Sequence, residues 1–387
     1  MSLPSFSDNV SRATLRAEAL IDLDAISANV SRLKAHVQGR DVLAVVKADG
    51  YGHGIIQSAR AARAGGASWL GVALIDEALH LREAGDTGPI LSWLAVPGSP
   101  YAEAIAAGVE LAAYSASQLD EIASAARQVG RRAGIHLKLD SGLGRGGATP
   151  DEWGHLVKGA AAAQESGAIE VTGVFSHLAC ADEPEHPSVK AQTIEFEAGV
   201  GQAVEVGLEP SHLHLANSAA TLALPDTWLT MVRLGISLYG VSPFADGQSP
   251  VPLEPAMTLV ARLALVKRVP TGHGISYGHT YTTTRASTLG LVPVGYADGI
   301  PRHASGRGEV FVRGQRFRIA GRVCMDQFVI DLGDAEAAAG DPVVIFGDPR
   351  RGEPSAHDWA VAADTIGYEI VTRIGPRVPR SYAGAVA

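Results

Sequence analysis

One lysine closes an apolar run. Val42-Leu43-Ala44-Val45-Val46 leads into Lys47, and Ala48-Asp49-Gly50-Tyr51-Gly52-His53-Gly54 follows. Five apolar residues, three of them valine, read as a strand buried on both faces, the kind found in parallel sheets. A lysine there either snorkels its ammonium to water or serves as an amine base or a nucleophile toward a carbonyl. The stretch alone does not choose between these. Farther on, Lys138-Leu139-Asp140-Ser141-Gly142-Leu143-Gly144-Arg145-Gly146-Gly147 sets an arginine in a glycine-rich loop. Arg145 is either a solvated turn residue or a group delivered to an oxygen anion. Asn217-Ser218 and Gly235-Ile236-Ser237 each follow a short apolar run. Ser218 is either a plain helix cap or a donor to an anion at a helix N-terminus.

The elements that must position these groups form a rhythm. Strands are expected at 42–46, 69–74, 90–94, 109–113, 135–139, 171–176, 212–215 and 231–234, with helices ending near glycines between them. A strand at 17–23 and a helix capped by Asp24 precede the series. Eight strand–helix units suggest a closed (β/α)8 barrel. A doubly wound open sheet is the alternative, but no GxGxxG follows the first strand. In a barrel, functional residues sit at the C-terminal strand ends, and a phosphate is often held after strands seven and eight. Lys47, Lys138, Asp140, His177, Asn217, Ser218, Arg233 and Gly235 occupy such ends. A lysine after the first strand and a phosphate cup after the last two suggest pyridoxal phosphate, held through the amine.

The pattern changes after Tyr239. Residues 241–256 contain four prolines and read as a linker. Strands then follow without long helices, at 258–269, 287–294, 309–312, 315–320, 327–332 and 342–346, with a last helix over 358–374. The fold expected is a (β/α)8 barrel of the TIM type followed by a mostly β C-terminal domain. Its parts are an N-terminal segment 1–16 packing with the β domain, a barrel 17–240, the linker, and a β domain 257–387. A net charge of −9 gives no support for nucleic-acid or anionic-membrane binding. Cys180 and Cys324 lie far apart and form no CxxC or Cys/His cluster, so no metal site is expected. No apolar run approaches a membrane span, and the first residues lack the pattern of a signal peptide. A cytoplasmic protein is expected.

Four motifs together resemble the alanine racemases: Val45-Val46-Lys47-Ala48-Asp49-Gly50-Tyr51-Gly52-His53-Gly54, Ser276-Tyr277-Gly278, Arg322-Val323-Cys324-Met325-Asp326-Gln327 and Arg377-Val378-Pro379-Arg380. They span nearly the whole chain. The resemblance implies pyridoxal 5'-phosphate as cofactor, a small amino acid as substrate, and a homodimer whose active sites are shared between subunits. It implies D-alanine supply for peptidoglycan. Lys47 is then the Schiff-base lysine and one of two catalytic bases, and Tyr277 the other base, reaching the site of the second subunit. Tyr51, Asn217, Ser218, Gly235, Ile236 and Tyr368 match phosphate-binding positions. Arg233 matches the arginine facing the pyridine nitrogen, and His177 the histidine linking it to the tyrosine. Arg145 and Met325 match substrate-carboxylate contacts. Lys138 matches a lysine carbamylated in some members, and Asp182, Tyr296 and Arg302 match residues narrowing the substrate entry. Gly50, Ser141 and Leu143 depart mildly from the family pattern, and none of these removes a reacting group. Other readings are a broad-specificity amino-acid racemase, a decarboxylase on the same barrel, or a non-enzymatic pyridoxal-phosphate carrier. The β domain argues against the carrier.

Overall fold

The computed structural model describes residues 15–385, so the segment 1–14 lies outside the described residues. Strand β1 (Ala17–Asp22) comes first. Eight parallel strands follow: β2 (Asp41–Val45), β3 (Trp69–Val72), β4 (Ile90–Ser92), β5 (Glu110–Ala113), β6 (Ala133–Lys138), β7 (Ile169–Phe175), β8 (His212–His214) and β9 (Met231–Leu234). From β2 to β8 each pairs with the next in chain order, and β9 pairs with β2. The remaining seam, between β8 and β9, is bridged by Thr230 N–H to Leu213 O at 3.2 Å and Arg233 N–H to Ala216 O at 2.9 Å. The barrel expected from the strand–helix rhythm is thus present. Most of its strand residues are buried because helices cover the outside, with exceptions such as Asp41, Glu110, Glu170 and His212 toward the N-terminal strand ends.

Strand β1 corrects the sequence reading, which counted it with the barrel. It lies in a six-stranded sheet of the second domain, antiparallel to β10 (Met257–Arg262) and parallel to Arg380–Ala383. The eight parallel strands already close the barrel, which leaves no place for a ninth. Asp22, not Asp24, caps the first helix, accepting from Ala25 N–H at 3.0 Å. The expected strand 258–269 is two strands: β10 belongs to the six-stranded sheet, while Leu265–Val269 belongs to a three-stranded one. The expected helix 358–374 is also two, Ala356–Ala363 and Gly367–Thr372, parted at Asp364 with φ of 54°. Beyond those sheets, a short hairpin pairs Gly274–Ile275 with Tyr281–Thr282 and carries the turn that begins at Tyr277. Among the described residues no helix is long and apolar enough to cross a membrane.

Candidate active site

Directly after β2 the backbone takes an uncommon path. Ala48, Asp49, Gly50 and Tyr51 have φ of 53°, 54°, 60° and 54°, nearly a full turn of left-handed helix. Each non-glycine residue there costs roughly 1–2 kcal/mol, so the surroundings must hold the turn in place. Glu77 accepts from Ala48 N–H at 2.6 Å, Asp49 accepts from Ile55 N–H at 2.9 Å, and Arg380 donates to Gly52 O at 3.0 Å. The Arg380 side chain also gathers the carbonyls of Ile374, Gly375 and Val378. The turn sets Lys47 and Tyr51 in the wall of one cavity.

That cavity, of about 850 Å³, opens at the C-terminal end of the barrel. Lys47 and Tyr51 enter from β2, Lys138 from β6 with Arg145 on the loop after it, and His177 from β7. Asn217 and Ser218 enter after β8, and Arg233 on β9 with Gly235 and Ile236 after it. Tyr368 closes one side from the helix Gly367–Thr372. Trp93 and Tyr114, one residue past β4 and β5, complete the wall. Their strand-end positions mark them in the sequence, yet as aromatics they read as packing. A second cavity, of about 620 Å³, lies beneath the linker. Its guanidiniums are already engaged, Arg350 with Asp348 and Arg316 with Asp358.

The site cavity is cationic although the chain is acidic. Among the described residues none of Lys47, Lys138, Arg145 and Arg233 is paired with a carboxylate. Burial, then the Arg145 charge, lowers the Lys47 pKa despite Glu77. Burial and then Arg233 bring Lys138 down to about 8. Lys138 lies 5.0 Å from the centre of the Tyr114 ring and donates to Gly146 O. Asp140 does not face the cavity. Its carboxylate accepts from the N–H groups of Gly142, Leu143, Gly144 and Arg145, and so folds the loop that carries Arg145. Burial would raise its pKa, but those four bonds win and hold it below the usual carboxylate range.

A small cradle lies beside β9. Asn217, not Ser218, caps the helix Ser218–Ala223, accepting from Ala220 N–H at 3.0 Å. Ser218 Oγ instead accepts from Gly235 N–H at 2.9 Å and from the Ser237 hydroxyl at 3.0 Å, which leaves its own proton to donate. A Cβ on Gly235 would sit 2.6 Å from the Tyr51 hydroxyl. Only glycine therefore leaves room for an oxyanion beside Tyr51 and Ser218. Burial pushes the Tyr51 phenol well above its ordinary value and Tyr368 up to about 12, the latter helped by the charge of Asp182. Both stay protonated donors at neutral pH. Lysine, guanidinium and oxyanion cradle together suit a phosphorylated aldehyde, and among the described residues no cluster suits a metal.

The β domain keeps a different set apart. Tyr277 is 72% exposed, Met325 54% and Tyr296 42%, and Arg302 is exposed as well. None of them lines the cavity. The loops that carry Tyr277, Met325 and Tyr296 are nonetheless held to one another. Ser276 Oγ donates to Arg322 O at 2.8 Å, and the N–H groups of Tyr296 and Ala297 donate to Cys324 O and Met325 O.

Family models for the alanine racemase N-terminal domain and C-terminal domain match residues 21–243 and 256–382. The chain belongs to the alanine racemase family. An alanine racemase of Frankia casuarinae is 55% identical over 370 residues, covering 95% of this chain and 96% of that one. The crystal structure of alanine racemase from a D-cycloserine-producing Streptomyces lavendulae aligns with a TM-score of 0.94. It is 54% identical and covers 96% of this chain and 97% of that one. A Bacillus anthracis alanine racemase with bound L-Ala-P aligns at 0.86, with 37% identity and 96% of each chain covered.

Proposed function

We propose that the protein interconverts L-alanine and D-alanine with pyridoxal 5'-phosphate, by two bases on opposite faces of the substrate. The observation that carries this reading is the convergence of an amine of lowered pKa, a buried guanidinium and an oxyanion cradle in one cavity. The family names of its relatives and the L-Ala-P in the Bacillus anthracis neighbour support alanine as the substrate. The setting is the cytoplasm, and the product is D-alanine for peptidoglycan.

Lys47 would hold the cofactor through its amine, and Ser218, Tyr51, Tyr368 and the backbone of Gly235 and Ile236 would hold its phosphate. When bound, pyridoxal phosphate supplies the electron-withdrawing ring that acidifies a substrate Cα–H. Removing that proton from one face and returning one to the other needs two bases, or one base that swings around the substrate. The Lys47 amine, brought down by burial and Arg145, takes or gives the proton on one face. Tyr277 of a second copy serves the other face, with Tyr296, Arg302 and Asp182 narrowing the entry. Arg145 and the Met325 N–H bind the substrate carboxylate. Lys138, carrying a neutral amine fraction near pH 8, is placed for carbamylation beside that arginine. Arg233 spends its donors on Ser176 O, His214 and His177, so it presents a fixed cation that does not hand over its proton.

Incubating the protein with cofactor and L-alanine should yield D-alanine until the enantiomers equalise. Lys47→Ala should lower turnover by about 10³-fold or more, the upper range of general acid–base catalysis, and abolish covalent retention of the cofactor. An unreactive wild type, or a fully active Lys47→Ala variant, would overturn the reading.

A further inference from the structure

The inside of a (β/α)8 barrel is ordinarily filled with branched apolar side chains. Here a polar column runs through it. Glu110 opens β5 at the barrel floor, His136 lies mid-barrel on β6, His214 ends β8 and Arg233 stands on β9. The two imidazoles are fully buried. Glu110 Oε2 is 3.1 Å from His136 Nε2, and His136 Nδ1 is 2.8 Å from His214 Nε2. His214 Nδ1 is 3.1 Å from Arg233 Nη1, and Arg233 Nη2 is 3.1 Å from His177 Nδ1.

The strands are shaped around this column. The β6–β7 register shifts between Ile135 and His136, which sets His136 opposite Gly173. A Cβ on Gly173 would lie 2.2 Å from His136 Nδ1, and one on Gly134 would lie 2.8 Å from the Glu110 carboxyl carbon. Thr172 adds a hydroxyl donor to Glu110 at 2.5 Å.

The ends dictate every proton between them. A guanidinium only donates and a carboxylate only accepts. Arg233 therefore requires a bare Nδ1 on His214, whose proton sits on Nε2. That N–H requires a bare Nδ1 on His136, whose proton then points to Glu110. The second arm of Arg233 likewise requires a bare Nδ1 on His177 and leaves the His177 proton on Nε2. His177 lines the cavity. We infer that Glu110, His136 and His214 are positioning residues, a one-way donor line that balances the buried Arg233 charge from the barrel floor and holds in place the guanidinium whose second arm sets which nitrogen His177 offers the site.

The other groups facing the line are Trp69, His212 and Phe175 around His136, and Tyr114 and Arg145 near Arg233. Lys47, Lys138 and Arg145 lower the His177 pKa behind burial and Arg233. Only Glu110 is an anion within the line itself.

The kinetic arm of the test rests on the racemase reading, and the spectroscopic arm does not. Nitrogen NMR of ¹⁵N-histidine-labelled wild-type holoenzyme should show His136 and His214 as Nε2–H tautomers at neutral pH. Glu110→Gln removes the charge, while its amide oxygen can still accept from His136 Nε2–H. It should lower kcat about tenfold, the equivalent of one pKa unit, leave KM for alanine unchanged, and move the acid limb of the kcat profile to lower pH. Glu110→Asp should recover part of the loss. An Nδ1–H tautomer on either histidine of the wild type, or a Glu110→Gln variant with wild-type kcat and pH profile, would overturn the inference. A wild type that does not racemise alanine would overturn the functional reading and leave the tautomers to judge the column.

Discussion

The cavity at the barrel end and the Tyr277 turn of the β domain solve opposite problems. The cavity takes polar groups out of water and fixes each one: Lys138 and Arg233 are each 6% exposed, and Arg233 makes bonds along both arms. The Tyr277 turn leaves an aromatic 72% exposed on a short hairpin, beside Met325 and Tyr296. A base gains from a dry, charged setting that tunes its pKa. Lys47 has that setting within its own chain. Tyr277 does not, so it acquires one only against another surface. An exposed apolar patch marks such a surface, and under the proposed shared site the cavity mouth of a second copy would supply the missing walls.

Variants at the two regions should therefore behave differently. Tyr277→Phe should cost about 10²- to 10⁴-fold in turnover as the loss of one acid–base group, while thermal stability falls by no more than about 1.5 kcal/mol, the net worth of one hydrogen bond. Kinetics in both directions with a melting curve checks this, and cofactor retention should be undiminished. In the cavity, Gly235→Ala should weaken cofactor binding about tenfold or more, because its Cβ meets the Tyr51 hydroxyl at 2.6 Å and crowding of that kind costs about 1–3 kcal/mol. Titration of apo-protein with pyridoxal phosphate reads it. Asp140→Asn should have the smallest effect, a rise of about threefold in KM for alanine as the Arg145 loop loosens. Since the folded pKa of Asp140 is depressed, its stability contribution is complete above the ordinary value of about 3.9 and is lost as pH falls through the lower folded value. The melting-temperature gap between wild type and Asp140→Asn should accordingly close as the buffer is acidified.

Much of the cavity is legible in the sequence because the barrel places function at strand ends. Lys47, Lys138, His177, Asn217 and Arg233 each follow or finish an apolar run, and a count of runs finds them. Tyr114 and Trp93 obey the same rule and are overlooked because an aromatic at a strand end also reads as packing. The left-handed turn at 48–51 is not legible. Ala48, Asp49 and Tyr51 carry no local preference for positive φ strong enough to announce it, and Glu77 and Arg380, which hold it, are distant in the chain. The same distance hides β1: its apolar alternation marks a strand, and only the closure of eight others shows that it pairs with β10 instead. The polar column is hidden for a related reason. His136 and His214 each sit in a short strand where one histidine reads as incidental, and their line appears only when β5, β6, β8 and β9 are brought side by side.

The central claim is that one active site needs the cavity of one chain and the tyrosine of another. Lys47→Ala and Tyr277→Phe proteins, each nearly inactive alone, can be mixed under conditions that exchange subunits. A heterodimer then keeps one site with both Lys47 and Tyr277 intact, so random pairing in a two-fold dimer should restore roughly a quarter of wild-type racemisation. Recovery near that level supports the shared site, and a mixture no more active than its two components contradicts it.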